Sequence, residues 1–235
     1  PYYGDNPANR VPPITYKNIG DELTTAGVDW AWYSGGWNDA VAWDASDGGA
    51  AADGGVPPNV ELFQYHHQPL NYFASYAPGQ PGRAHLQDET DFDAALAANK
   101  LPAVSFIKPV GIDNEHPGYT DVLTGEQHLL GLIKAIEGSS YFTASKDVAI
   151  VVTYDEHGGF ADHVPPPGAD RWGPGQRVPT IVISPYAKKK FVDHTTYDTT
   201  SILAFIEKRW GLAALSTRDA HADPLSGAFD FTQTP

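Results

Sequence analysis

The sequence contains no cysteine and no methionine. Without thiols it can form neither a disulfide nor a thiolate metal site, so a metal would have to be held by oxygen and imidazole. Basic residues are scarce: 15 Lys and Arg stand against 29 Asp and Glu, a formal charge of −14. A surface of that sign repels nucleic acid and anionic membranes, and the one dense basic run, Lys188-Lys189-Lys190, reads as a solvated loop. No apolar run approaches the roughly 18 residues of a membrane span, so no transmembrane segment is expected. Also missing are GxGxxG after a strand, the GxxxxGK phosphate loop and the GxSxG elbow, which removes three common cofactor and hydrolase fingerprints. The chain begins at Pro1 with neither an initiator Met nor a signal peptide, and reads as processed or truncated.

What is present points to one domain of alternating strands and helices. PYYGDNPANRVPP (1–13) reads as an extended loop, and residues 18–26 as a short helix stopped by Gly27. VDWAWY (28–33) has strand composition, and the Gly-, Ala- and Asp-rich stretch 44–58 reads as an exposed loop. AVSFI (103–107) is a short apolar run of the kind a buried parallel strand shows. Thr124-Gly-Glu-Gln127 has the form of a capping box, and Leu129, Leu132, Ile133 and Ile136 then follow at helical spacing. The strands VAIVVTY (148–154) and VPTIVIS (178–184) come next. A final helix follows, capped by Asp198 or Thr199, with Ile202, Phe205, Ile206 and Trp210 on one face and Gly211 beyond it. This order predicts a largely parallel sheet flanked by helices, with ligands bound beyond the carboxyl ends of the strands.

The unusual residues fall at those ends. Asp155 and Glu156 directly follow the 148–154 strand. Burying two adjacent carboxylates costs several kcal/mol per charge unless something compensates, and a divalent cation is the simplest compensation. Gly158 and Gly159 permit a tight turn that can return Asp162 and His163 to the same edge. The competing reading is a solvent-exposed acidic turn. His66 and His67 sit among aromatics in FQYHHQPLNYF, and alternation on a strand would admit only one of them to a site unless the backbone bends. His116, in DNEHPGY, lies in the loop after the 103–107 strand, where the residues beside it are equally suited to a plain Asx turn. His128 is expected to be exposed on its helix. His85 and His221 fall in polar loops, and His157 and His194 carry no clear assignment. Hard ligands of this kind suit Mg, Ca or Mn, or Zn if imidazole dominates.

TYDEHGGFADHVPPP, RWGPGQRVPTIVISPYAKK and VDHTTYDTTSILAFIEKRWGL resemble the carboxyl-terminal half of the bacterial acid phosphatase and phospholipase C family of phosphoesterases. GDELTTAGVDWAWYSGGW, FQYHHQPLNYF and NEHPGYTDVLTGEQ match it too, so the resemblance covers nearly the whole chain. It implies an alkaline-phosphatase-like three-layer α/β/α sandwich with a largely parallel central sheet. By the same resemblance Asp155 and Glu156 are metal ligands, and His67 and His116, with His66 nearby, surround the phosphoryl group. The implied reaction is hydrolysis of phosphate monoesters through a Ser or Thr phosphoenzyme, assisted by a divalent metal ion, in the periplasm or outside the cell.

The family's Glu-Asn-Arg-Ser stretch and its Ser or Thr nucleophile lie upstream of the YHH motif and have no counterpart here. Asn9-Arg10 lacks the acidic neighbour. Residues 1–235 are therefore expected to form a single phosphoesterase domain that is amino-terminally incomplete and inactive alone, the missing part being either an upstream polypeptide or a stretch absent from this sequence. The end at AFDFTQTP, soon after the last helix, favours the acid phosphatase branch. The alternatives are a phospholipase C-type phosphodiesterase and a non-catalytic metal- or anion-binding module.

Overall fold

A computed structural model describes residues 12–46, 63–168 and 170–233. Its regular elements are α1 (Ile19–Thr25), β1 (Trp30–Ser34), α2 (Trp37–Ser46), β2 (Leu86–Asp88), α3 (Glu89–Ala97), β3 (Val104–Lys108), α4 (Val122–Gly138), β4 (Ile150–Thr153), β5 (Thr180–Ile183), α5 (Thr200–Trp210) and α6 (Thr217–His221). They divide into two compact units, one of residues 1–17 and 27–132, the other of 18–26 and 133–235. Most of the expected loops at 1–13 and 44–58 lies outside the described residues, and α2 runs on to Ser46. No described helix is long and apolar enough to cross a membrane.

In the first unit three parallel strands pair in the order β2-β1-β3. The central strand is Trp-Ala-Trp-Tyr-Ser, and both of its faces are lined with rings. Trp32 stacks on Phe106 of β3 at 4.8 Å, Trp30 on His85 at 4.3 Å, and Tyr33 meets Phe92 of α3 edge-on. Rings of this size bury large apolar areas, which gives a three-stranded sheet its core. Register sets Ser34, Asp88 and Lys108 side by side at the carboxyl edge. Asp88 ties the helices to that edge. One carboxylate oxygen accepts the Thr90 N–H at the start of α3, and the other accepts the Asn38 N–H at the start of α2.

Gly35 follows β1 where two backbones meet, its N–H donating to the Lys108 carbonyl at 3.0 Å. A Cβ there would stand 2.6 Å from the Val110 nitrogen and 3.0 Å from Glu89 Oε2. Since backbone rather than a flexible side chain blocks the space, Gly35→Ala is expected to cost about 1–3 kcal/mol. Urea unfolding of the variant measures this.

In the second unit, Asn18 caps α1 through Gly20 and Asp21, and Asp21 reaches back to the Asn18 N–H. β4 and β5 pair antiparallel, Ile150 opposite Ile183 and Thr153 opposite Thr180. The expected parallel arrangement therefore holds for β1–β3 and not for this pair. Among the described residues of 154–179, which join β4 to β5, there is no covering helix, and a connection of that kind makes a long hairpin rather than a crossover.

Two other local expectations are corrected. α4 begins at Val122, two residues before Thr124, because Asp121 Oδ1 accepts the Thr124 N–H at 2.8 Å and serves as the cap. α5 is not the last helix: Ser216 accepts the Arg218 N–H and opens α6. Asp198, as expected, caps α5 through Thr200, and Gly211 closes it at φ 66°.

Between α5 and α6 lie two buried carboxyl groups, Glu207 and Asp219, 6% and 2% exposed. Burial pushes Glu207 up to about 7, helped by its hydrogen bond to Asp219 and by that neighbour's charge. Asp219 is held below the usual carboxylate range. Burial opposes this, but the Ser216 hydroxyl, the Glu207 carboxyl and the Leu215 N–H all donate to it. The pair thus shares one proton, carried by Glu207.

Candidate active site

His67 lies in a tight turn, Tyr65–His67, rather than on the strand that its neighbours suggested. The turn sends the two histidines different ways: His67 is buried and His66 exposed, their rings nearly perpendicular with centroids 4.8 Å apart. The turn is laced to the sheet, with Trp32 Nε1 donating to the His67 carbonyl at 2.7 Å and Gln68 Nε2 donating to the Trp32 carbonyl. His67 Nδ1 faces the Pro109 carbonyl at 3.1 Å, just beyond the end of β3. A carbonyl can only accept, so Nδ1 carries a proton, and in the neutral form of the ring the lone pair is on Nε2. The hydrogen bond fixes the orientation of the ring and its Nδ1–H form.

Pro109 also opens the loop that carries His116. That residue is exposed, its N–H donating to Asn114 Oδ1 at 2.8 Å, so the Asx turn considered from the sequence is formed. Its Nδ1 donates to the Pro117 carbonyl and its ring stacks on Tyr119 at 4.3 Å, which again leaves the lone pair on Nε2. His66, His67 and His116 thus belong to one unit, around the carboxyl edge of one parallel sheet.

Asp155 and Glu156 belong to the other unit, directly after β4, and both are exposed. Each folds back on the turn: Asp155 Oδ1 accepts the Glu156 N–H at 3.0 Å, and Glu156 Oε2 accepts the Gly158 N–H at 2.8 Å. His157 Nδ1 accepts the Gly159 N–H at 3.0 Å, so its proton is on Nε2. Gly158 and Gly159 make this winding possible at φ 60° and 83°. In this exposed setting the pair does not incur the desolvation cost assigned to it from the sequence. By chemistry its donors, adjacent carboxylate oxygens, fit a hard divalent cation. Among the described residues no group of three or more His, Asp or Glu is arranged to hold a metal.

Asp162 and His163 pair with each other, His163 Nδ1 lying 3.6 Å from Asp162 Oδ1. Arg177 grips Asp162 through Nε at 2.7 Å and Nη2 at 2.8 Å, and holds that carboxylate well below its usual range. The His163 side chain is solvent-exposed.

Sequence reasoning missed Glu89 and His128. His128 is half-buried rather than exposed, and its Nε2 lies 2.6 Å from Glu89 Oε1. The hydrogen bond to Glu89 raises the imidazole above its ordinary value; burial opposes the shift, while the charges of Glu89, Asp113 and Asp93 add to it. The available signal was spacing: His128 stands four residues before Leu132, on the apolar stripe of α4.

Comparison with known proteins covers the whole of this geometry. Phospholipase C A of Mycobacterium tuberculosis (strain ATCC 25618 / H37Rv) is 29% identical over 252 residues, taking in 94% of this chain and 45% of its own. Non-hemolytic phospholipase C of Burkholderia pseudomallei is 29% identical over 98% of this chain and 39% of its own. Non-specific phospholipase C1 of Arabidopsis thaliana is 31% identical over 61% of this chain and 32% of its own. The chain spans less than half the length of these relatives. The family profile described as Phosphoesterase matches residues 1–213, a span that takes in the YHH turn, the His116 loop and the Asp155-Glu156 turn, and the chain belongs to that family.

Proposed function

We propose that the protein is a metal-dependent phosphoric ester hydrolase in which His67, His116 and His66 serve the phosphoryl group and Asp155 and Glu156 hold a divalent cation. The observation that carries this reading is the His67 ring, buried beside the carboxyl edge of a parallel sheet with its proton fixed on Nδ1. Such a ring accepts a proton at Nε2 and returns it from there. In phosphoester cleavage the bond from phosphorus to the nucleophile oxygen forms, the ester bond breaks, and the departing oxygen takes a proton from an imidazolium. Water then releases the phosphoryl group from a Ser or Thr phosphoenzyme. His116, whose lone pair is likewise on Nε2, suits donation to a phosphoryl oxygen once protonated. A bound cation supplies Lewis-acid stabilisation of the phosphoryl oxygens, and Asp155 and Glu156 offer the hard oxygen donors for it.

In this reading the nucleophile comes from outside residues 1–235, on an upstream segment that completes a three-layer α/β/α sandwich. Ile181 on β5 is 56% exposed, and Phe160, Phe191 and Val192 also face outward, as apolar surface awaiting such a segment would. Export to the periplasm or medium belongs to the same reading.

Monoesters and phospholipid diesters are the two candidate substrate classes. The second gains weight from the relatives, which are named phospholipases C. Release of p-nitrophenol from p-nitrophenyl phosphate, set against release of phosphocholine from phosphatidylcholine, separates them. Hydrolysis that stops on chelation and returns with a divalent cation is the expected result in the whole gene product. Failure on both substrates with cations supplied would leave a binding module, and robust turnover by residues 1–235 alone would overturn the external nucleophile.

A further inference from the structure

Gly125, in the first turns of α4, is buried against the loop that carries His116. A Cβ at this glycine would stand 2.6 Å from the Asn114 carbonyl oxygen and would collide with the Glu115 side chain. α4 therefore passes directly over the two residues that precede His116. One turn further on, His128 meets Glu89, a carboxylate only 7% exposed. Its other oxygen lies in the tight space beside Gly35 at the end of β1. Glu89 is thus wedged between the carboxyl edge of the sheet and α4.

We propose that the Glu89–His128 pair is a proton-operated clamp that positions the His116 loop by fixing the start of α4 against the carboxyl edge. His128 is a positioning residue here, and the proposal rests on the reading of His116 as a residue of the phosphoester site.

The groups that face His128 are Glu89 and Asp93 from α3 and Asp113 from the loop after β3, and all of them favour the imidazolium. Below pH 6.5 the ring is charged, and its bond to Glu89 joins an imidazolium to a carboxylate, so Coulomb attraction adds to the hydrogen bond. His128 is raised above 6.5, so the clamp is fully set below that pH and slackens as pH rises through the folded-state value. Glu89 is then a buried carboxylate facing a neutral ring, and the hold on α4 weakens.

The test is amide hydrogen exchange across residues 111–121 of the full chain between pH 5.5 and 8.5, corrected for intrinsic exchange, with the His128 ring titrated by NMR. In the wild type, exchange in this segment is expected to rise roughly fivefold to tenfold in step with loss of the His128 proton, as the Coulomb attraction of the pair is lost. His128→Gln keeps a donor toward Glu89 without the charge, and should show the faster exchange at every pH. Wild-type exchange that ignores the His128 titration overturns the clamp, even if the variant does not fold. So does a His128→Gln protein that remains as protected as the wild type at pH 5.5. These readouts need no turnover. A protein that hydrolyses no phosphoester would sink the proposed function, and the exchange data would still decide the clamp.

Discussion

Asp155→Asn is expected to lower kcat/KM of the active enzyme by at least about a hundredfold while leaving the fold intact. Losing a single group that stabilises transition-state charge typically costs 10²–10³ in rate, and this substitution removes a full negative charge from the donor pair. The side-chain carbonyl that remains can still accept the Glu156 N–H, the 3.0 Å bond that shapes the turn. Asp155 is also exposed, so the exchange of one oxygen for NH₂ should move the unfolding free energy by no more than about 0.5 kcal/mol. Three measurements together make the case: kcat/KM, calorimetric titration with a divalent cation, and the unfolding midpoint. Loss of both cation binding and turnover at an unchanged midpoint is the expected pattern. Wild-type turnover by the variant would take Asp155 out of the site.

The second large effect concerns stability and has its origin in α5 and α6. Glu207 titrates near 4.5 when unfolded and at about 7 in the fold, because burial and the adjoining Asp219 both disfavour its ionised form. A raised value means that the folded state binds the proton more tightly. The stability this provides is fully present below pH 4.5 and disappears as pH rises through about 7. The difference is worth about 3 kcal/mol. Glu207→Gln holds a neutral donor against Asp219 at every pH and should remove this slope, leaving the variant more stable than the wild type at pH 8.5. Exchange of the α5 and α6 amides in increasing urea, from pH 4.5 to 8.5, reads the effect where it arises. Equal slopes for the two proteins would mean that the carboxyl pair does not share its proton as described.

Much of the architecture was legible because its signals are local. Asn18 ahead of Ile19 and Gly27 after the last turn delimit α1, and Gly211 ends α5 in the left-handed region that favours its residue type. The β-branched runs marked β3, β4 and β5 within a residue or two. Strand direction was not legible. An apolar run has the same composition whichever way it points, and only the path of residues 154–179 decides that β5 runs against β4. The misplaced start of α4 has a different cause: Asp121 and Thr124 are both competent caps, and the sequence does not rank them. α3 was missed because its segment is short, acidic in its first turn and carries one large buried ring, Phe92, too few apolar positions for a helical period. At the site, the histidines and carboxylates stood out by type and position. What could not be read was which way they face, since the inward turn of His67 and the burial of His128 depend on Pro109 and Glu89, far away in sequence.

The two-pronged grip of Arg177 on Asp162 gathers residues 162–177, with their prolines 165–167, into a closed lariat within the β4–β5 connection. Guanidinium keeps its charge at any pH the protein meets, and this carboxylate, held below the usual range by Arg177, keeps its own through mild acid. The knot therefore holds through the acid range in which Glu207 and His128 take up protons. Because the arginine side of the knot faces water, dissolved ions rather than hydrons are what can loosen it.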